Sequence, residues 1–391
     1  MKKVALILTL ALISLNLIAE APAPKSAIVV DAYVDGNAIT KSAAIGDILV
    51  VNVAHLNTLL TAQNNIKQVR LFIDCIEIEG SVPVGWCPHG DGADVKFLLQ
   101  RTADNNKTWN LLLGYPEFGK QFYHLPLSIG IGLAGQSVQA TNVNSFDFVR
   151  IEKAWFWGCI IVLLLYFGVL LRYAKTTPML RDAPADLTPL GIPGLDAGNA
   201  PFSLGKVQMA FWFSIVLASY VFIWLITDNY ELITTGTLVL IGIGAATGLG
   251  AVSINNNKSG GTIKQVQSLQ AQQADLRQAT DLLRASLPAA GIEGKIAYNN
   301  FLDSQLTTKI NELIDGLKIG KDTFFNDILT DENGISFHRL QMVVFTMVLG
   351  FVFLYTVWAT LTMPDFSPTL LTMQGLTAGT YLGFKIPEKQ S

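Results

Sequence analysis

Long apolar stretches recur along the chain after residue 153. Five of them contain no Asp, Glu, Lys, Arg or His, namely residues 154–171, 207–227, 232–254, 340–362 and 366–384. Each is about 18 residues or longer, which is typical of a transmembrane helix. The pattern therefore predicts five transmembrane helices, of which the third and the fifth are rich in glycine.

The first 21 residues have the features of a secretory signal. Lys2 and Lys3 precede an apolar core at 4–18, and small residues follow at Ala19 and Ala21. We predict that residues 1–21 are a cleaved signal peptide, because this core is shorter than the roughly 20 residues of a span. An uncleaved anchor helix is the alternative. Either interpretation directs the following segment out of the cytoplasm.

Basic residues near the ends of the apolar stretches predict their orientation. Those between the first two stretches are Arg172, Lys175, Arg181 and Lys206. The short connections at 228–231 and 363–365 contain acidic residues and no basic ones. We therefore expect residues 22–153 and both short connections to lie outside. The linker 172–206, the segment 255–339 and the tail 385–391 are then cytoplasmic.

Two parts of the sequence are related at an offset of 133 residues, which predicts a duplicated helical hairpin at 207–254 and 340–384. Lys206 and Arg339 share a charge at this offset. Identical pairs are Ser203/Ser336, Gln208/Gln341, Met209/Met342, Thr227/Thr360, Leu238/Leu371, Gly242/Gly375, Ala245/Ala378, Thr247/Thr380, Leu249/Leu382 and Gly250/Gly383. Both units enter the membrane from the same side, so the repeat is a parallel one.

Small residues spaced four apart form a strip in each repeat unit. The strips are Gly242, Ala246 and Gly250, and Gly375, Gly379 and Gly383. Such spacing lets helix backbones approach closely in a membrane, where van der Waals contact drives association. We expect the strips to mediate packing between the two hairpins, against a neighbouring helix, or between identical chains.

The same strips allow a second hypothesis, an oligomeric passive pore. Gln374, Thr377 and Thr380 are the predicted pore-lining residues, because hydroxyl and amide groups can line a polar path. The spans contain no ionisable residue, which argues against an ion-coupled transporter.

Residues 22–153 are predicted to form an extracytoplasmic antiparallel β-sandwich-like domain. Apolar and polar positions alternate in several short runs, which are separated by turns such as Asp35-Gly36 and Gly46-Asp47. The predicted strands include 48–53, 69–75, 95–100, 109–113, 124–133 and 146–151. Cys75 and Cys87 both lie in this domain, and an oxidising compartment permits a disulfide between them or leaves both free.

The segment 255–339 is predicted to be a cytoplasmic helical insert. Its first part, Asn-Asn-Asn-Lys-Ser-Gly-Gly, suggests a flexible exit from the membrane. Leu269, Leu276 and Leu283 then recur every seven residues, a clearer amphipathic stripe follows at 302–317, and 324–329 suits a third short helix. A helical bundle within one chain and a stalk for oligomerisation or a protein partner are both open.

Composition and motifs limit the kinds of partner and chemistry that this chain is expected to have. The 391 residues are 50% hydrophobic and only 15% charged, with a formal net charge of −3. A soluble chain usually has about a quarter charged residues. This balance predicts the lipid bilayer as a partner and no nucleic acid. The sequence Cys-Pro-His-Gly-Asp-Gly-Ala-Asp at 87–94 fits no zinc or calcium pattern, so no metal, cofactor or catalytic residue is predicted.

The segments GISFHRLQMVVFTMVLGF and GLTAGTYLGFKIPE resemble sequence from a family of uncharacterised bacterial multi-pass membrane proteins. The resemblance covers the repeat half, residues 201–388, and implies a bacterial source and a membrane location. It implies no activity and no site residue.

Together these patterns predict a mixed membrane protein of the bacterial inner membrane, with an exported β domain, five transmembrane helices and a cytoplasmic helical insert. We expect a non-enzymatic protein that self-associates through its glycine strips and links an outer recognition domain to an inner helical module. The pore is the alternative. A membrane-bound enzyme is a third possibility that no group of residues supports.

Overall fold

The computed structural model describes residues 26–37, 39, 41–60, 65–116, 121–285, 291–318, 320–331 and 334–388. The predicted signal peptide therefore lies outside the described residues. Contacts divide the chain into two compact units, Met1–Lys153 with Leu225–Asp228, and Ala154–Trp224 with Asn229–Ser391.

The first unit contains eleven strands among its described residues, so the prediction of an N-terminal β domain is confirmed. They are β1 (Ile28–Val34), β2 (Ser42–Ala43), β3 (Ile48–Ala54), β4 (Val69–Ile73), β5 (Ile76–Glu77), β6 (Gly85–His89), β7 (Gly92–Leu98), β8 (His124–Leu127), β9 (Ile129–Leu133), β10 (Ala140–Thr141) and β11 (Phe146–Val149). They form three sheets, in the orders β10-β1-β3-β7-β6, β2-β11-β8 and β5-β4-β9. The sandwich arrangement of these sheets stays a prediction.

Most strand pairs are antiparallel, and only β1–β10 and β2–β11 are parallel among the described pairs. Strand β3 lies in the middle of its sheet, paired with β1 on one side and β7 on the other. Its residues Leu49, Val50 and Val51 are all fully buried, so both faces of the strand are covered.

One predicted strand is wrong. Residues 109–113 belong to a helix, α1 (Asn106–Leu113), and not to a strand. Trp109 and Leu113 are fully buried. Residues four apart lie on one face of a helix, so this short turn buries both and exposes Leu111. The indole nitrogen of Trp109 donates to the carbonyl oxygen of Gln100, which fixes the helix to the preceding strand segment.

The second unit is built from seven α-helices among its described residues, two short 3-10 helices and one short hairpin. The helices are α2 (Lys153–Thr176), α3 (Leu204–Thr227), α4 (Thr235–Ala285), α5 (Ile292–Leu317), α6 (Phe324–Leu329), α7 (Phe337–Thr360) and α8 (Pro368–Lys385). The hairpin strands are β12 (Thr330–Asp331) and β13 (Gly334–Ile335).

Four of these helices, α2, α3, α4 and α7, are long and apolar enough to cross a membrane. These helices indicate a membrane protein, and four of the five predicted spans are confirmed as candidates. The fifth predicted span coincides with α8, which is not one of the four, so its crossing of the membrane stays a prediction.

Helix α4 continues far beyond its apolar part. It has 51 residues, or about 75 Å at 1.5 Å per residue, against a hydrocarbon layer of about 30 Å. The prediction of a flexible exit at 255–261 is wrong, because the helix runs through that segment without a break. Once a helix has formed, each further residue adds a hydrogen bond without a new nucleation step, so Gly260 and Gly261 do not end it.

The helical insert is a hairpin within one chain. Beyond the apolar part of α4, that helix packs against α5. Arg277 donates to the carboxylate of Asp303 at 2.7 Å, and the amide of Gln273 donates to the Thr307 hydroxyl at 2.7 Å. The predicted third short helix is α6, which buries Ile328.

The helix bounds follow the offset seen in the sequence. Helices α3 and α7 each have 24 residues, and their bounds are 204–227 and 337–360. Helices α4 and α8 begin at 235 and 368. The start and end of α3 and the start of α4 therefore recur 133 residues later in α7 and α8. The aromatic core between these helices includes Trp212 and Phe353, whose ring centroids are 6.4 Å apart.

Candidate functional site

Charged side chains converge at the end of the second unit where α3 and α7 begin and α8 ends. They surround a small cavity of about 70 Å³. Its polar lining residues include Asp182, Asn255, Lys258, Asp327, Arg339, Lys385 and Glu388. We call this group the charged cluster. Its members come from the linker before α3, from α4, α6, α7 and α8, and from the segment after α8.

An ion pair between Asp182 and Lys385 joins the linker to the end of α8. The Lys385 ammonium lies 3.2 Å from the carboxylate, and the two side chains are 19% and 5% exposed. Burial alone would raise the pKa of Asp182. The charge of Lys385 outweighs that effect, with help from the neighbouring polar side chains of Asn255 and Ser203, so the pKa of Asp182 lies below its usual value.

The linker is itself held in place by two basic residues. Arg181 donates to the carbonyl oxygens of Ala174 and Ala200, at 3.1 and 2.6 Å, and its guanidinium lies 3.7 Å above the Phe202 ring. The ammonium of Lys206 donates to the Arg181 carbonyl at 2.6 Å. These groups cap backbone oxygens that no helix or strand satisfies.

A second set of charges surrounds Glu388. Arg339 donates to one carboxylate oxygen at 2.8 Å, and Nε2 of His338 lies 3.3 Å from the other. The ammonium of Lys258 donates to the Glu388 backbone oxygen. Asp331 is close as well, because one ligand atom each from Asp331, His338 and Glu388 lie within 4.8 Å of one another. Within the part of the chain that the structure describes, these three residues form the group that could hold a metal ion.

The chain segments that lead into α3 and into α7, here called the two helix approaches, have the same local structure. A bridge joins Arg181 to Phe202 before α3, and the first pair of the β12–β13 hairpin joins Thr330 to Ile335 before α7. The backbone N–H of Ser203 donates to the Leu180 carbonyl at 2.9 Å, and that of Ser336 donates to the Leu329 carbonyl at 2.9 Å. Asp182 and Asp331 thus occupy corresponding positions.

A polar cluster also lies inside the helix bundle. The side-chain amides of Gln208 and Gln374 both donate to the Thr346 hydroxyl, at 3.0 and 3.3 Å. Both glutamines are buried, at 2% and 0% exposure. The predicted pore-lining residues therefore do not share a surface, because Gln374 and Thr377 are buried in the bundle while Thr380 is exposed.

The predicted glycine strips face away from the described chain at every glycine except Gly250. A Cβ atom added at Gly242, Gly375, Gly379 or Gly383 would meet no atom within 4 Å among the described residues. At Gly250 it would come within 2.8 Å of Leu382. The strip of α8 therefore does not pack against another helix of the same chain. Contact between chains stays a prediction, and Ala246 is likewise exposed.

Other glycines make the close approaches within the bundle. A Cβ at Gly205 would lie 2.9 Å from the Thr247 backbone oxygen, and one at Gly350 would lie 2.6 Å from the Phe211 ring. Gly244 and Gly248 on α4 also face neighbours. Gly244 and Gly248 are also four residues apart, so the sequence contained a second small-residue strip on another face of α4, which was not predicted to pack.

Both cysteines of the β domain are free, so the disulfide is not present in the structure. Cys75 lies in the turn between β4 and β5, whereas Cys87 lies on β6 in a different sheet. The histidines of this domain pair with carboxylates. His55 contacts Asp91, and His89 lies 3.4 Å from Asp94.

Comparison with known proteins adds no functional assignment. No protein-family model matches the sequence, and no curated protein or solved structure gives a significant match. The resemblance to bacterial multi-pass membrane proteins thus stays a prediction.

Sequence reasoning missed most of the charged cluster. Arg339 entered only as the charged counterpart of Lys206 in the repeat, and no role was predicted for Lys385 or Glu388. The pairing of Lys206 with Arg339 in the repeat was the available signal, because two equivalent basic residues inside helix starts need equivalent partners.

Proposed function

We propose that the protein is a self-associating integral membrane protein that links an outer β domain to an inner helical hairpin. The charged cluster then lies on the cytoplasmic side of a bacterial inner membrane, in agreement with the basic residues that flank the spans. In this proposal α8 crosses the membrane as a fifth span. The protein binds and organises partners and catalyses no reaction.

One observation carries this proposal. Gly375, Gly379 and Gly383 give α8 a face without side chains, and the space next to each of them is open. A bare helix face in a bilayer gains van der Waals contact when another helix approaches it closely. The described helices that pack against α8 contact its other faces, so a second copy of the chain is the partner that we propose for the strip.

The test is the mass of the detergent-purified protein after the detergent contribution is subtracted. We expect a defined oligomer for the natural chain and a smaller species for Gly379→Leu. The matched control is Gly168→Leu on α2, where an added Cβ also meets no atom within 4 Å. A monomeric natural chain, or equal masses for the natural chain and Gly379→Leu, would contradict association through the strip.

The pore hypothesis receives less support. Only Thr380 of its three predicted lining residues is exposed, so a pore between chains would lack the amide of Gln374 and the hydroxyl of Thr377. Ion flux in liposomes that depends on Thr380 would restore the hypothesis.

The helical hairpin of α4 and α5 is the surface that we propose for an inner protein partner. It extends beyond the apolar part of α4, and Tyr298 and Phe301 on α5 are exposed at 62% and 57%. The double variant Tyr298→Ser and Phe301→Ser removes both rings. It should no longer form the cross-linked complex with the inner protein partner, while the mass of the oligomer stays the same.

A further inference from the structure

Three metal-ligand side chains meet beside the charged cluster. Asp331 comes from the hairpin before α7, His338 from the first turn of α7 and Glu388 from the chain segment after α8. One ligand atom of each lies within 4.8 Å of the other two. The His338 and Glu388 side chains are each only 11% exposed. The group is therefore partly shielded from water, unlike an ordinary cluster of surface carboxylates.

Two of the three ligands are oriented by neighbouring residues. Arg339 holds one oxygen of Glu388 at 2.8 Å, so the other oxygen faces Nε2 of His338 at 3.3 Å. The hydroxyl of Ser336 lies 2.8 Å from Nδ1 of His338, and the imidazole stacks on Phe384 with 4.7 Å between ring centroids. Hydrogen-bonded partners of this kind orient the ligands in metal sites and raise their affinity.

The two helix approaches bring different groups to their aspartates. Asp182, at the position that corresponds to Asp331, faces the ammonium of Lys385. At the offset of 133 residues the counterpart of Lys385 is Val252, which has no charge. The second approach instead brings a histidine and a second carboxylate, Glu388, next to the aspartate. The second approach therefore places potential metal ligands where the first approach has an ammonium.

We propose that Asp331, His338 and Glu388 bind one divalent transition-metal ion, with Zn²⁺ as the best candidate. An imidazole nitrogen with two carboxylate oxygens suits this class of ion and not Ca²⁺ or Mg²⁺, which take oxygen ligands. Three protein ligands leave a fourth position for water. The ion ties the chain end to the start of α7, and it does not depend on the proposed self-association.

The experiment measures zinc in the full-length protein, purified in detergent without a histidine tag and dialysed against buffer that contains Zn²⁺. We expect about one ion per chain for the natural protein and its loss in His338→Ala. Ser336→Ala should weaken zinc affinity about tenfold, because it removes only an orienting group. The matched control is His89→Ala, which removes an exposed histidine next to an aspartate in the β domain. It should keep the full zinc content.

A second readout separates metal binding from folding. Zinc should raise the Tm of the natural protein and of His89→Ala, and leave that of His338→Ala unchanged. If His338→Ala fails to fold, Asp331→Asn and Glu388→Gln remove a ligand charge with little change of shape and should give the same loss. The proposal is refuted if the natural protein retains no zinc, or if all three ligand variants retain as much as it does.

Discussion

The ion pair between Asp182 and Lys385 should be a major source of stability in the helical unit. The charges are 3.2 Å apart and both side chains are mostly buried. At an effective dielectric constant of about 20, Coulomb's law gives an attraction of about 5 kcal/mol. The removal of one partner leaves the other charge buried without compensation, which typically costs about 3–5 kcal/mol.

We therefore expect Asp182→Asn and Lys385→Met each to destabilise the protein by about 3 kcal/mol or more. For a unit of this size, 3 kcal/mol corresponds to a decrease in Tm of roughly 6–12 °C. The double variant should be about as stable as either single variant, because the loss of the second partner removes the uncompensated charge. The assay is thermal unfolding in detergent, followed by tryptophan fluorescence.

The control cycle uses Lys309 and Glu312, whose charges are 3.5 Å apart and whose side chains are 55% and 62% exposed. Exposed pairs contribute about 0–1 kcal/mol, so the coupling energy there should be small. If the effects of Asp182→Asn and Lys385→Met simply add, within about 0.5 kcal/mol, the buried pair does not act as we have reasoned.

The same pair predicts a pH dependence. The pKa of Asp182 is lowered in the folded protein, so the folded state holds its proton less tightly than the unfolded state does. The stabilisation is then fully present above the unfolded pKa of about 3.9 and is lost as the pH falls through the lower folded value. The Tm difference between the natural chain and Asp182→Asn should thus be constant from about pH 8 to pH 5 and shrink below about pH 4.

Two further substitutions test the packing. Gly92→Ala should destabilise the β domain by about 1–3 kcal/mol in chemical denaturation, because the new Cβ overlaps with the backbone oxygen of Val53. The control Gly85→Ala, whose new Cβ has its nearest neighbour 3.9 Å away, should leave the free energy of unfolding unchanged. Equal losses of stability in the two variants would show that the overlap at Gly92 is relieved. Thr346→Val should lower Tm by the equivalent of about 1–3 kcal/mol, since two buried glutamine amides lose their acceptor. Thr356→Val, at an exposed hydroxyl bonded within its own helix, is the control, and a matching decrease there would rule out the buried cluster as the cause.

The charged cluster shows the limit of sequence reasoning most clearly. Asp182 and Lys385 are 203 residues apart in the chain, and no local pattern pairs them. Their contact depends on where the linker returns to the bundle and where α8 ends. The same is true of Asp331, His338 and Glu388, which come from three separate segments.

Local patterns also failed where packing chose between alternatives. Apolar residues at 109–113 suit a strand or a short helix, and burial of Trp109 and Leu113 on one face selected the helix. The four-residue glycine spacing fixed which residues share a helix face. It did not fix which face meets a neighbour, and Gly244 and Gly248 pack where Gly375 and Gly379 do not.

The sequence by itself determined the four helices that are apolar enough to cross a membrane and the β character of the first unit. These follow from uncharged apolar length and from short alternating runs, and both are properties of contiguous residues. It also indicated the 133-residue spacing of the helix bounds, because Ser203 and Ser336 precede α3 and α7 while Thr227 and Thr360 end them. Only the tertiary structure decided the ion pairs, the buried amide cluster and the outward glycine face, because contacts between distant segments depend on how the helices pack and not on any pattern within one of them.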